Sequence, residues 1–369
     1  MKILHIASFQ GNIGDNASHL GFYRILDNLI ASYEIKKLEI RKFYKNYNQS
    51  DKKFFDKTFI DYINTFNLCI IGGGGFLDYW VPNSQTGTTI DIDPKLLSQI
   101  QIKTLFTSIG CNPHKELPKG NIEKFRNFLD EVNKNKNIKI AVRNDGSVES
   151  IKRDIGEKYL ENIEEILDNG FFYNDDNIYP KIINKKYIAI NITNDQIQMQ
   201  SKLRGTIDKK TYLDELKKVL EYCMNNMGYD IVFVPHIYSD IKAISELLEI
   251  IDDSLIRNYI TIAPCIQGDE GARYIFSIYK NSEWVIGTRF HTNVCSIAMD
   301  RKTIGLVALD RVEYMYGYLG IEDRVVVLDG EFSDRVIDIL KHNIDSNNSL
   351  NKLKNRTIKF YEKIIGELD

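Results

Sequence analysis

The feature that most restricts this chain is its alternation of short apolar runs with longer amphipathic stretches, the pattern of βαβ units and a parallel sheet. In the first half the strand candidates are "KILHIA" (2–7), "LCIIG" (68–72), "TLFTSIG" (104–110) and "IKIAVRN" (138–144). Between them, residues 17–33 and 121–135 repeat apolar positions at helical spacing. The alternation starts afresh near residue 186. Strands are expected at 187–193, 230–236, 259–264, 283–287, 302–308 and 324–329, with helices at 210–228, 240–252, 270–282 and 289–300. The join "YNDDNIYPKIINKK" (173–186) is polar, holds one proline and reads as a linker. The expected fold is therefore α/β: two Rossmann-like doubly wound domains facing a cleft, a GT-B-like architecture, with an N-terminal domain over 1–178 and a C-terminal domain over 179–369.

At 369 residues the chain is longer than one core usually supports, which agrees with two domains. A formal net charge of -3 excludes a dedicated nucleic-acid binder, which needs a phosphate-neutralising basic face. No apolar run approaches the roughly 18 residues of a membrane span, so a cytoplasmic protein is expected, with peripheral membrane contact left open. Cys69, Cys111, Cys223, Cys265 and Cys295 show no CxxC or CxH spacing, so neither a zinc site nor a disulfide framework is expected. No metal-ligand cluster or cofactor motif is visible.

In open α/β sheets ligands bind beyond the carboxyl ends of the strands, so motifs that follow strands are the ones to weigh. "GNIGDN" (11–16) follows the first strand but lacks the third glycine of a dinucleotide loop. Asp15 there would repel a pyrophosphate; it fits either a helix cap or, with Asn12, a contact to substrate hydroxyls. "GGGGFLDY" (72–79) permits positive φ and close backbone approach, and its N–H groups at Gly73, Gly74 and Gly75 could form an anion-binding nest. Arg143 in "VRNDGS" (142–147) is by itself a solvated charge or an ion-pair member.

"GTRFHT" (287–292) carries the most information. With Thr288 as N-cap, Arg289 falls at the first helical position and His291 at the third. A cation there costs about 0.3–1 kcal/mol against the helix dipole, a penalty that an anion removes. The plainer alternative is a packed histidine beside an ion-paired arginine.

The ordered set "GNIGDN", "GGGGFLDY", "SIGCNP" (108–113), "VRNDGS" and "VIGTRFH" resembles the polysaccharide pyruvyl transferase family over roughly residues 1–330. The resemblance implies transfer of pyruvate from phosphoenolpyruvate, the donor substrate, onto two hydroxyls of a sugar or lipid-linked saccharide, giving a cyclic ketal in exopolysaccharide biosynthesis. It implies that Arg143 and Arg289 bind the donor and that His291 lies beside it; the first domain is then the acceptor side and the second the donor side. Ketal formation needs an acid to protonate the donor's methylene carbon and a base for the sugar hydroxyls. His291 fits the acid, and Asp15 or Asp78 the acceptor side. Many family members carry a lysine downstream in a Tyr-x-x-Lys context, whereas this chain reads "ALDRVEYMYGYLG" (308–320), with Arg311 as the nearest substitute.

Two other functions compete. A nucleotide-sugar glycosyltransferase would share the architecture, but the Glu-x7-Glu spacing of many retaining enzymes is absent, Glu313 and Glu322 being nine apart. A non-catalytic scaffold of a polysaccharide assembly complex would show eroded charges, and the charged positions are intact. Tyr79 and Trp80, in the 78–94 loop, either stack on the acceptor or serve packing.

Overall fold

In the computed structural model, which describes residues 1–204, 207–342 and 349–367, all twelve strands among the described residues lie in two parallel six-stranded sheets. The first sheet contains β1 (Lys2–Ala7), β2 (Glu34–Glu39), β3 (Leu68–Gly74), β4 (Lys103–Ile109), β5 (Ile138–Arg143) and β6 (Ile163–Ile166), in the order β2-β1-β3-β4-β5-β6. The second contains β7 (Tyr187–Asn191), β8 (Asp230–Phe233), β9 (Ile260–Ile262), β10 (Trp284–Gly287), β11 (Lys302–Val307) and β12 (Val325–Val327). Its order, β9-β8-β7-β10-β11-β12, is the doubly wound 3-2-1-4-5-6 arrangement. The fold is α/β and GT-B-like.

The central strands are legible because burial on both faces demands unbroken apolar runs: β3 and β7 are buried at every position. The edge strand β2, "EIKKLE", has no fully buried residue, and β6, "IEEI", has one, so neither announces itself by an apolar run. Side-chain caps set the starts of some helices. Asp208 accepts from Thr211 N at 3.0 Å to start the helix Lys209–Asn225, and Asp56 accepts from Phe59 N at 3.0 Å to start Lys57–Ile63.

By its contacts the chain divides into a first unit of Met1–Phe9, Tyr23–Asn169 and Asn351–Asp369, and a second of Gln10–Phe22 and Gly170–Leu350. This differs from a single cut at 178/179 for definite reasons. The join is tied to the second unit: Lys280 Nζ donates to the Asp175 carbonyl at 2.6 Å, and the Tyr173 ring lies 5.3 Å from that of Phe276. The helix Leu350–Gly366 carries Tyr361, whose buried hydroxyl bonds Thr107 Oγ1 (2.6 Å) and Asn169 Oδ1 (2.7 Å) of the first unit.

The five cysteines are free thiols, four of them buried. No helix among the described residues is long and apolar enough to cross a membrane.

Candidate functional site

In the second sheet the chain leaves β7 toward β8 on one side and β10 toward β11 on the other, so the switch point lies between β7 and β10. Asn191 ends β7 and ties this point together. Its side chain donates to the Val234 carbonyl (3.0 Å) and accepts from Arg289 N (3.1 Å), while its carbonyl accepts from Thr288 N and Thr288 Oγ1, both at 3.1 Å. The Thr288 hydroxyl is thereby drawn back to the strand. Arg289, with extended φ −77° and ψ 142°, becomes the N-cap of the helix Phe290–Ala298, and no side chain caps it. The helix thus starts one residue later than the sequence suggests, and His291 is its second residue.

Arg289 does not wait unpaired for an anion. Its Nε and Nη2 donate to the two oxygens of fully buried Asp240 at 2.8 and 2.6 Å, and Nη2 also reaches Asp195 Oδ1 at 2.9 Å and Thr193 Oγ1 at 3.1 Å. Burial alone would pull the guanidinium's pKa down, but the bonds and charges of Asp240 and Asp195 push it above its ordinary value. Asp240 also accepts from the backbone N–H groups of His236 and Ile237 at 2.9 and 3.3 Å, so one carboxylate fixes both the arginine and the turn after β8.

His291 faces the "GNIGDN" segment, which packs in this unit. Its Nδ1 lies 3.5 Å from Asp15 Oδ1, and that oxygen accepts from Asn12 Nδ2 at 3.3 Å. Asn12 Oδ1 in turn accepts from Gly14 N at 3.0 Å, starting the helix Ile13–Leu29. Gly14 is required here: a Cβ would come within 2.7 Å of the His291 Cβ and 3.2 Å of His236 Nδ1. Asp15, assigned by chain order to the N-terminal domain, is thus brought to the histidine by packing.

His236 is fully buried. Its Nε2 contacts the hydroxyls of Tyr279 (2.9 Å) and Thr292 (3.2 Å), and its Nδ1 has no hydrogen-bond partner. Burial, reinforced by the charges of Arg289 and His291, holds its pKa well below the ordinary 6.5, so it is neutral.

The first unit assembles a different group of the predicted residues. Gly72, Gly73 and Gly74 belong to β3, and their presence has a packing reason: a Cβ on Gly72 would meet the Thr107 carbonyl oxygen at 1.9 Å, and one on Gly74 the ring of Phe76 at 2.6 Å. Gly73, at φ 82°, sits in the left-handed region. Only Gly75 of the four is part-exposed. A Cβ there would meet Asp78 Oδ2 at 2.8 Å, and Asp78 Oδ1 accepts from Asn112 N at 2.7 Å.

Arg143 lies beneath this loop with 2% of its side chain exposed. Its Nε donates to Asp145 Oδ2 at 2.6 Å and its Nη1 to Asp168 Oδ2 at 3.4 Å. Asp145 also accepts from the Ser147 hydroxyl, and Asp168 from Ser108 Oγ at 3.1 Å. Ser108 reaches it from a left-handed φ of 49° at an irregularity in the β4–β5 pairing. Burial alone would lower the arginine's pKa; the charges of Asp145 and Asp168 raise it instead.

Tyr79, one of two aromatics weighed for stacking on a sugar, is a core residue: it is 0% exposed, stacked on Phe125 and bonded to Asp154 Oδ2 at 2.5 Å. Trp80 is part-exposed. Arg311, the nearest substitute for the family's lysine, is partly exposed in the first turn of the helix Asp310–Leu319. Sequence reasoning missed Asn191, Thr193, Asp195 and Asp240. A signal for the first three was available, since "NITND" (191–195) spans the carboxyl end of a predicted strand and the residues just past it; Asp240 lies on a helix four residues past "VPH" and carries no such mark. No group of three or more His, Cys, Asp or Glu able to hold a metal ion occurs among the described residues.

A family model described as polysaccharide pyruvyl transferase matches residues 12–308. No curated protein sequence matches the chain significantly. Among solved structures the chain is similar to the UDP-GlcNAc 2-epimerase from Methanocaldococcus jannaschii, at 12% identity, covering 98% of this chain and 100% of that one with a TM-score of 0.57. It is also similar to the enzyme of that type from Rickettsia bellii (11% identity, 100% and 96% coverage, TM-score 0.51) and to that from Neisseria meningitidis bound to UDP-GlcNAc (9%, 98% and 100%, 0.52). At these identities the likeness is one of fold.

Proposed function

The chain belongs to the polysaccharide pyruvyl transferase family, and on that premise we propose that it transfers pyruvate from phosphoenolpyruvate onto two hydroxyls of a saccharide as a cyclic ketal. The observation that carries this reading is the His291–Asp15 pair at the switch point of the second unit, at the start of a helix that its N-cap side chain does not cap.

The donor's phosphate and carboxylate suit that helix start, where N–H groups and the dipole favour negative charge. His291, oriented by Asp15, gives a proton to the methylene carbon, which becomes the ketal's methyl group. The adjacent carbon, now electron-poor, is attacked by one sugar hydroxyl, whose proton passes to the imidazole of His291 and replaces the one it gave. The second hydroxyl then attacks the same carbon, the C–O bond to phosphate breaks, and phosphate leaves with the electron pair and takes up that hydroxyl's proton. An imidazole with a carboxylate beside it has the protonation chemistry that both stages need near neutral pH.

Arg289 enters through the inequality of its two carboxylates. Asp240 is 0% exposed and fixed by backbone bonds, while the Asp195 side chain is 42% exposed. The donor's anionic group takes the place of Asp195 on Nη2, and Asp240 keeps the guanidinium in position. The buried Arg143 acts as the pin of its loop.

The test measures release of inorganic phosphate from phosphoenolpyruvate across a panel of saccharide acceptors, beside release of nucleotide from common sugar nucleotides. Acceptor-dependent phosphate release is expected. Nucleotide release without consumption of phosphoenolpyruvate would overturn the reading in favour of glycosyl transfer.

A further inference from the structure

The first unit contains a cavity of about 530 Å³, within the roughly 300–1,000 Å³ range of small-molecule sites. Of the candidate residues weighed from the sequence, two line it: Gly75, the accessible member of the glycine run, and Trp80. Its walls are of two kinds. Trp80, Tyr44 and Phe76 supply aromatic surface, while the Lys45–Asp91 pair (2.7 Å) and Thr89 supply hydrogen-bonding groups. Lys115 Nζ lies 3.8 Å from the centre of the Trp80 ring.

From this arrangement we propose that the cavity is a saccharide subsite, in which a pyranose ring of the acceptor stacks on aromatic surface at Trp80. A pyranose has an apolar C–H face and a girdle of hydroxyls that both donate and accept. It therefore needs aromatic surface together with a carboxylate and an ammonium at its edge, and these walls offer both. An acyl chain would leave Lys45 and Asp91 facing apolar groups, at a desolvation cost with no return. The cavity also has a structural link to the glycine loop and its arginine. A Cβ placed on Gly110 would meet Gly75 Cα at 3.1 Å, Arg143 Nη2 at 3.0 Å and Asp145 Oδ2 at 3.1 Å, so Gly75 is packed between the cavity and the buried ion-pair cluster. The Asp78 carboxylate, 2.8 Å from where a Gly75 Cβ would lie, sits at the same junction. Trp80 lines the cavity and is part-exposed, whereas Tyr79 next to it is wholly buried in the core.

The subsite names the substrate class of the proposed transferase and rests on that reading for its role as acceptor site, so its test omits the donor. Methyl glycosides of glucose, galactose and glucuronic acid are added singly to the full chain, and saturation transfer from protein to sugar protons is recorded by NMR. Transfer to at least one glycoside is expected. Trp80→Ala should weaken it about tenfold, and Trp80→Phe, which keeps a ring, much less. Melting temperatures and far-ultraviolet dichroism confirm that the variants are folded. Lack of transfer to all three glycosides overturns the subsite. So does transfer indifferent to Trp80→Ala, or stronger saturation of uridine than of every glycoside. If sugar binding depends on Trp80 while phosphoenolpyruvate is never consumed, the subsite stands and the transfer reaction falls. If phosphoenolpyruvate is consumed and sugar binding ignores Trp80, the reverse holds.

Discussion

Each unit holds one buried arginine near the carboxyl end of a strand, and each arginine carries two aspartates. The partners of Arg143, Asp145 and Asp168, are 1% and 0% exposed; those of Arg289, Asp240 and Asp195, are 0% and 42% exposed. A sealed triad has no partner that a ligand can replace without opening the fold. In the second unit one carboxylate is held by backbone bonds and the other reaches solvent, so the same chemistry leaves one edge of the guanidinium exchangeable. The second unit also has the His291–Asp15 pair next to its arginine, whereas the groups around Arg143 are carboxylates, hydroxyls and amides. Two arginines that look equivalent as strand-end residues thus separate into a proposed positioning pin and a proposed ligand contact.

The largest effect expected from breaking this comparison is on the proton donor. His291→Gln should keep donor affinity and lower kcat by about 10² to 10⁴, the range of a lost general acid. Near-normal kcat in that variant would make His291 a packing residue.

Removing the sealed arginine should strike the fold. Arg143→Ala takes the guanidinium counter-charge from buried Asp145 and Asp168, a change that costs about 3–5 kcal/mol in comparable sites. Chemical denaturation checks this, and a loss below about 1 kcal/mol would show that the triad is not sealed.

The two aspartates on Arg289 should behave oppositely. Asp195→Asn removes a competing negative charge, so the KM for phosphoenolpyruvate should fall several-fold with little change in melting temperature. Asp240→Asn should lower the melting temperature and raise that KM. Equal responses from both would remove the asymmetry on which the exchange rests.

The smallest effects concern pH and differ in sign between the units. His236 has a folded pKa well below its ordinary 6.5, caused first by burial and then by Arg289 and His291. The unfolded chain therefore binds the proton more readily, and the stability that neutral His236 contributes, complete above about 6.5, is lost as pH falls below it. His236→Asn should flatten the acid side of the melting profile. Glu165 in β6 runs the other way: burial, aided by Glu149, lifts its pKa from 4.5 to about 7. Its contribution is present below 4.5 and is lost as pH rises through about 7. Glu165→Gln should melt higher than the parent at about pH 8.5 and alike at about pH 4. A uniform shift at both pH values would mean that the carboxyl is not titrating as described.

The sequence by itself determined the two series of parallel strands, since burial on both faces requires local apolar runs that need no knowledge of partners. It also placed His291 in the first turn of its helix and Gly75 and Arg143 at strand ends, because strand, turn and helix follow one another within a few residues. Tertiary structure decided everything that depended on residues far apart in the chain. Asp15 meets His291 across 276 positions (291 less 15) only because Gln10–Phe22 packs with the second unit. Arg289 finds Asp240 49 positions away, at the start of a helix whose periodicity says nothing of an ion pair. The edge strands β2 and β6 lacked apolar runs because neighbours and solvent, rather than two covering layers, surround them. Local patterns report how a segment is buried; which buried segment it touches is settled when the whole chain packs.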